Sequence, residues 1–482
     1  MNNVAHSDIE RLRDGIDAAW EEAKNFGLDP FPTHFELVPA SIMYEFASYS
    51  LPGRFSHWTH GKAFHRQKMQ YDLGLSKIYE MVVNTNPSYA FLMEMNNLLQ
   101  NTFVAAHVFG HTDFFKNNAY FQHTSRRMID KASVHAERIA KYEFDHGKDE
   151  VERFLDAVLS IQEHVDYNLL LHADEPAESE ESHKPPSSEY DDLWGLEERA
   201  KKAEEERERR PGKTPKFPEK PEKDLLLFLN RHSPHLEPWQ RDILEIVRTE
   251  MLYFIPQMQT KVMNEGWASI WHSRIMRKLG DRSVISDSET VEFAQLHSGV
   301  LTPSRTSLNP YYIGFKIFED IERRWDNPTR EEQDRLGRRP GQGRQKIFEV
   351  RELDNDVSFL RNYLTEDLVK DLDLYLYKKE GDEWVVAEKN WQKVRDTIVA
   401  NMTNFGHPYL VVDNGDYHGN RELYLTHLFE GQELDLNYAE KTLQYVYILW
   451  GRPVHLETVY EGKRILLTYD GERNSKSTLE NK

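Results

Sequence analysis

The chain has 482 residues, a net charge of −20 and no cysteine. That length holds two or three domains, and the charge disfavours nucleic acid and anionic membrane as default partners. Without cysteine there are no disulfides, no thiolate chemistry, no Cys-ligated zinc and no iron–sulfur clusters, so any metal held by side chains rests on His, Asp or Glu.

In chain order, residues 8–26 read as an amphipathic helix with Ile9, Leu12, Ile16, Ala19, Trp20 and Ala23 on one face. No basic stretch followed by an apolar run precedes it, so no signal segment is expected. "DPFPTHFELV" (29–38) reads as a proline-punctuated loop. From Tyr79 to Leu171 the period is helical nearly throughout, with breaks at "NTNPS" and "FDHGKDE". The expected first part is therefore an N-terminal helical region over 1–172.

Residues 173–224 are rich in charge, Pro and Ser and poor in apolar side chains. They read as a linker or insertion without a core of its own. Helical pattern resumes over 225–350, where Pro256 is expected to kink or interrupt the run. From 355 to 482 the pattern mixes helix and strand, beginning with a hairpin in "DLYLYKKEGDEWVVAEK". Two similar stretches follow, "FGHPYLVVDNGDYHGNRELYLTH" and "WGRPVHLETVYEGKRILLTYD", each behind a helical segment. The expected fold class is α+β: a large, mainly helical domain followed by a small C-terminal α+β domain with two helix–hairpin repeats. No stretch reaches the roughly 18 apolar residues of a membrane helix, and a cytoplasmic location is the expectation.

Two stretches carry the candidate chemistry. In "NTFVAAHVFGHTDFFKNN" (101–118), His107 and His111 are four apart within an apolar run, which places both imidazoles on one helix face. That is the spacing of helical zinc sites. In "TKVMNEGWASIWHSRIM" (260–276), Glu265 and His272 are seven apart and point the same way on a second helix. A carboxylate among Trp267, Ala268 and Ile270 is costly unless it is paired or bound to a metal. Two readings follow: a divalent metal, zinc or another, held by His107, His111, Glu265 and His272, or a metal-free Glu–His network.

The H-E-x-x-H motif of zinc peptidases carries its general base next to the first histidine. Here "HVFGH" has Val108 in that slot. "NEGWAS" is similar to the "NEGFAS" segment of a class of zinc aminopeptidases, and that likeness implies a ligand role for Glu265. The expected catalytic set is Glu265 and His272, with Lys261, His297 or Tyr311 stabilising an oxyanion.

Over a longer span, "HWTHGKAF", "NTNPS", "AHVFGHTDFFKNN", "PWQRDILEIVRTEMLYFIPQMQTKVMNEGWASIWH", "NPYYIGFKIFEDIERRW" and "ELYLTHLFEGQELDLNYAEKTLQYVYILWGRPVHLET" resemble the SpoVR (stage V sporulation protein R) family. The resemblance runs roughly from Ile9 to Asp470. It implies a role linked, in spore formers, to spore cortex formation, and more widely to a stress or starvation module. It also implies two partners, a PrkA-type serine kinase and a von Willebrand-factor-A-like protein. Two functions from different classes result. One is a zinc-dependent hydrolase of an amide or peptidoglycan-related bond that lacks the usual base. The other is a non-catalytic regulatory or scaffold protein working with those partners.

Overall fold

The computed structural model describes residues 2–72, 80–168, 216–303, 308–381 and 383–479. They form two compact units, one of 1–148 with 252–407 and one of 149–251 with 408–482. Of the 173–224 segment, 173–215 lies outside the described residues. Its end is ordered: Glu222 bridges to Val412, and Asp224 caps a helix through Leu227 N.

The first unit opens with α1 (Asn2–Asn25), β1 (Thr33–Val38), α2 (Ala40–Tyr49) and α3 (Trp58–Asp72). Next come β2 (Glu80–Val83), β3 (Ser88–Met93), α4 (Leu98–Asn117) and α5 (Met128–His146). The strands form a sheet in the order β1-β3-β2, with β1 parallel and β2 antiparallel to β3. Residues 33–38, expected as loop, and 80–83 and 89–93, expected as helical, are therefore strands. For β3 the reason is burial on both sheet faces. Phe91 and Met93 enter one apolar cluster while Ala90 and Leu92 enter another, so "SYAFLM" reads as an unbroken apolar run without strand alternation. The partner of β1 is also non-local, which no short window detects.

The second unit takes α6 (Lys148–Leu159), α7 (Leu225–His232) and the first turns of α8 (Pro238–Gln259). Helix α8 continues through Pro256 and ends at Gln259; the break comes at Thr260, whose hydroxyl bonds the Pro256 carbonyl. The chain then adds to the first unit α9 (Lys261–Asp281), α10 (Asp287–Val300), α11 (Pro310–Asp326) and α12 (Arg330–Leu336). It continues with α13 (Gly343–Leu353), α14 (Asp356–Tyr363), α15 (Glu366–Asp371), the hairpin β4 (Leu376–Glu380) and β5 (Glu383–Glu388), and α16 (Trp391–Met402). Residues 355–407, grouped by composition with the C-terminal part, belong here. Phe359, Leu360, Val369, Val394 and Ile398 are buried in the same core as Phe109 and Trp267.

Helices α4 and α9 are the centre of that core. Asn97 and Gln100 start α4 with a capping box. From Asn101 to Phe115 every α4 residue is buried, so the helix has no solvent face. Both backbone N–H groups of Val262 and Met263 at the start of α9 donate to the Asp356 carboxylate, at 2.8 and 2.9 Å. Close packing depends on residues without side chains. Gly110 of α4 abuts Ala268 of α9, and Gly266 of α9 abuts Gly314 of α11.

In the second unit, β6 (Leu410–Tyr417), β7 (Glu422–His427), α17 (Leu436–Trp450), β8 (Val454–Tyr460), β9 (Lys463–Tyr469) and β10 (Asn474–Thr478) form a five-stranded sheet in the order β10-β9-β8-β7-β6. Hairpins β6–β7 and β8–β9 join through a parallel β7–β8 pair, with α17 as the crossover. Helix α17 packs on β8 and β9. The helix before the first hairpin, α16, packs instead on α14 in the first unit. The molecule is thus mostly helical with a sheet-containing C-terminal part.

Candidate metal centre

His107 and His111 stand on one face of α4, both buried, with ring centroids 4.6 Å apart. Packing of α9 against α4 brings Glu265 to them. Its Oε2 is 3.5 Å from His107 Nε2 and 3.4 Å from His111 Nε2. The fourth member is Glu80, whose Oε1 lies 3.5 Å from the same His107 Nε2. Strand parity explains its arrival: Glu80 pairs with Leu92 across β2 and β3, so it shares the sheet face that packs toward α4. Glu80, His107 and His111 bring their ligand atoms within 4.8 Å of one another, the only such group of three among the described residues. Sequence reasoning missed Glu80. It is a lone glutamate in "IYEMVVNTNP", with no spacing that ties it to either histidine.

Separations of 3.4–3.5 Å are ion-pair distances, longer than the roughly 2.8 Å of a charge-assisted hydrogen bond. His107 Nε2 and Glu265 Oε2 are accordingly both buried without a hydrogen-bond partner. Burial opposes the charge on Glu265, yet the two imidazoles outweigh it and hold the carboxyl well below its usual range. Burial likewise opposes protonation of His111, but the Glu265 carboxylate carries its pKa above the ordinary value.

The outward nitrogens are each held. His111 Nδ1 is 2.9 Å from Asn264 Oδ1, so it donates and turns Nε2 toward the carboxylates. His107 Nδ1 is 2.8 Å from His272 Nδ1, and His272 Nε2 is 2.8 Å from His297 Nδ1 on α10. His272 therefore spends both nitrogens on imidazoles and stands behind His107. Burial, then the neighbouring imidazoles, keeps its pKa far below normal. Burial and then Arg277 lower His297 to about 4.

Tyr311, at the start of α11, stacks on His107 with centroids 5.9 Å apart. The Glu265 charge, then burial, then Glu80, raise its pKa well above the ordinary value. It thus remains a donor. Lys261 is exposed one turn before Glu265, with Asp356 among its charged neighbours. Of the sequence-derived residues, His107, His111, Glu265 and Tyr311 meet directly, His272 and His297 line up behind them, and Lys261 is on the outside.

The family model described as "SpoVR like protein" matches residues 6–407, and that described as "SpoVR-like C-terminal domain" matches 408–461. The chain belongs to the SpoVR family. A relative in Escherichia coli (strain K12), named "Uncharacterized protein YcgB", is 29% identical over 499 residues, covering 96% of each chain. No solved structure matches. The two SpoVR models meet between His407 and Pro408, where the sheet-bearing C-terminal stretch begins. All residues of the Glu/His cluster fall within the first. No helix among the described residues is long and apolar enough to cross a membrane.

Proposed function

We propose that this SpoVR-family chain holds one divalent metal ion, zinc or another, on His107, His111 and Glu265, with Glu80 beside it, and uses it to hydrolyse an amide bond. The observation that carries this reading is the pair of buried, unpartnered atoms His107 Nε2 and Glu265 Oε2. They stand 3.5 Å apart, and Glu265 is 3.4 Å from His111 Nε2. Two ligands each about 2.1 Å from a tetrahedral ion are roughly 3.4 Å apart. A metal-free network would instead close these contacts to hydrogen bonds. Two imidazoles and a carboxylate are also a donor set suited to zinc and its neighbours.

In this reading His107, His111 and Glu265 are ligands. Glu80, reaching the cluster from β2, supplies the carboxylate that Val108 leaves out of the helix. Bound metal would lower the pKa of water toward neutrality. Glu80 accepts a proton from the attacking water as its oxygen bonds the carbonyl carbon. Tyr311 donates to the carbonyl oxygen, and the proton passes to the leaving nitrogen as the C–N bond breaks. The SpoVR resemblance supports a peptidoglycan-related substrate, a stress or sporulation setting, a cytoplasmic site of action, and a kinase and a von Willebrand-factor-A-like protein as partners. The test is elemental analysis of protein purified without chelator. About one ion per chain is expected, and a metal-free protein that complements a deletion strain would overturn the proposal.

A further inference from the structure

We infer that His272 and His297 are positioning residues that set, through a continuous string of imidazoles, which nitrogen of His107 carries its proton. This rests on the metal-centre reading above and goes beyond it to how the centre is oriented and how occupancy is passed to α10.

The string is defined by two contacts of 2.8 Å, His107 Nδ1 to His272 Nδ1 and His272 Nε2 to His297 Nδ1. A neutral imidazole has one N–H and one lone pair, so each contact needs a single donor. The choice at one end therefore fixes every ring. With a cation at His107 Nε2, the proton of His107 is on Nδ1 and donates to His272 Nδ1. His272 then carries its proton on Nε2 and donates to His297 Nδ1, leaving His297 with Nε2–H. With no cation, the opposite polarity becomes available. His297 Nδ1–H donates to His272 Nε2, His272 Nδ1–H donates to His107 Nδ1, and His107 Nε2–H faces Glu80 and Glu265.

Position and packing favour a string over a chance pair. His272 is fully buried, with Phe103 edge-on at 4.6 Å and Phe293 at 6.5 Å. An aliphatic residue there would avoid the cost of burying a polar ring. His297 is half-buried on α10, so the string runs from the centre to the edge of the unit. The other ligand has a different arrangement: His111 Nδ1 meets the Asn264 amide, 2.9 Å from its Oδ1, and no third imidazole.

The experiment uses the full chain and two probes, Zn²⁺ and Co²⁺, with affinity measured by competition against a chelating dye. His272→Gln accepts from His107 through its oxygen and donates to His297 through its amide, preserving the loaded polarity. His272→Leu fills the apolar pocket without hydrogen bonds. We expect His272→Leu to lose on the order of 10- to 100-fold in affinity and to distort the Co²⁺ visible spectrum, with His272→Gln closer to wild type. The chelated proteins should melt in the opposite order, Leu at or above Gln, because packing alone favours Leu. Selective ¹⁵N-histidine spectra should show the protonated nitrogen of His272 and His297 exchanging on addition of Zn²⁺. Wild type binding neither ion would sink the metal centre and this inference with it. Wild type binding with unchanged affinity in His272→Leu, or with His272 and His297 tautomers unmoved by Zn²⁺, would overturn this inference alone. If His272→Leu does not fold, His297→Leu, at the half-buried end, gives the same comparison.

Discussion

Gly110 of α4 lies so close to Ala268 of α9 that a methyl group on Gly110 would stand 2.6 Å from the Ala268 Cα. Gly110 sits between His107 and His111, and Ala268 follows Glu265 by less than one turn. This contact therefore sets the gap across which imidazoles and carboxylate face each other. A second contact, Gly266 against Gly314, where an added carbon would meet backbone, brings α11 and Tyr311 to the same centre.

Gly110→Ala should separate the two helices, because backbone rather than a movable side chain meets the new methyl. A loss of roughly 1–3 kcal/mol is expected from overpacking, together with loss of bound metal. Denaturant unfolding and metal content measure the two effects separately. A variant with wild-type stability and metal content would show that α4 and α9 can part without cost to the centre.

Glu265→Gln and Glu80→Gln should separate ligand from base. Glu265→Gln removes a charged ligand and should empty the centre. Glu80→Gln should keep most of the metal and fail to complement a deletion strain. Metal content near wild type in Glu265→Gln would refute its ligand role. Full complementation by Glu80→Gln would refute the role of Glu80 as base.

Asp113 is buried and accepts from Asp29 N at 2.7 Å and Trp267 Nε1 at 2.8 Å, with Arg351 at 3.6 Å. It ties α4 to α9 and α13 from within the core. Asp113→Ala strands these donors and the Arg351 charge, and should cost about 3–5 kcal/mol. Urea unfolding checks this, and Asp113→Asn should recover part of the loss.

Burial raises the Asp356 carboxyl to about 7, against the pull of the two backbone N–H groups at the start of α9. A folded pKa above the unfolded value of 3.8 means that the folded state binds the extra proton. The stability from this group is therefore full below about pH 4, falls as pH rises, and is lost above about 7. Asp356→Asn has no such titration. The melting temperature of wild type relative to Asp356→Asn should fall between those limits, and a constant difference would contradict the sign.

The C-terminal sheet should need its partner segment. Phe228 stacks on Trp450 at 5.7 Å, Ser233 donates to the Leu449 carbonyl at 2.8 Å, and Glu222 bridges to Val412. A fragment of 408–482 should gain several degrees of thermal stability when 216–251 is supplied in trans. No gain on mixing would show that the sheet folds independently of that segment.

Legibility followed the range of the interaction. Helix α4 and the shared face of His107 and His111 depend on residues within a few positions, and so were readable. So were the α5–α6 break at Gly147, the β4–β5 hairpin and the carboxylate embedded in α9. Strands β1 and β3 were not. For β3, burial on both faces erases the local alternation that marks a strand, and for β1 the partner lies about fifty residues away. The division at 408 was hidden too, because 355–407 has mixed helix and strand character but contributes its apolar residues to the core of the first unit.

At the site, the sequence by itself determined which side chains were available: two imidazoles one turn apart, and a carboxylate and a third imidazole two turns apart. No sequence spacing could say that Glu80 would join them, since a β-strand face delivers it. Nor could spacing say that His272 would stand behind His107 and not beside Glu265. Both outcomes depend on the depth at which α4, α9 and β2 meet. Packing sets that depth through Gly110 and Gly266, whose missing side chains have meaning only once another helix lies against them.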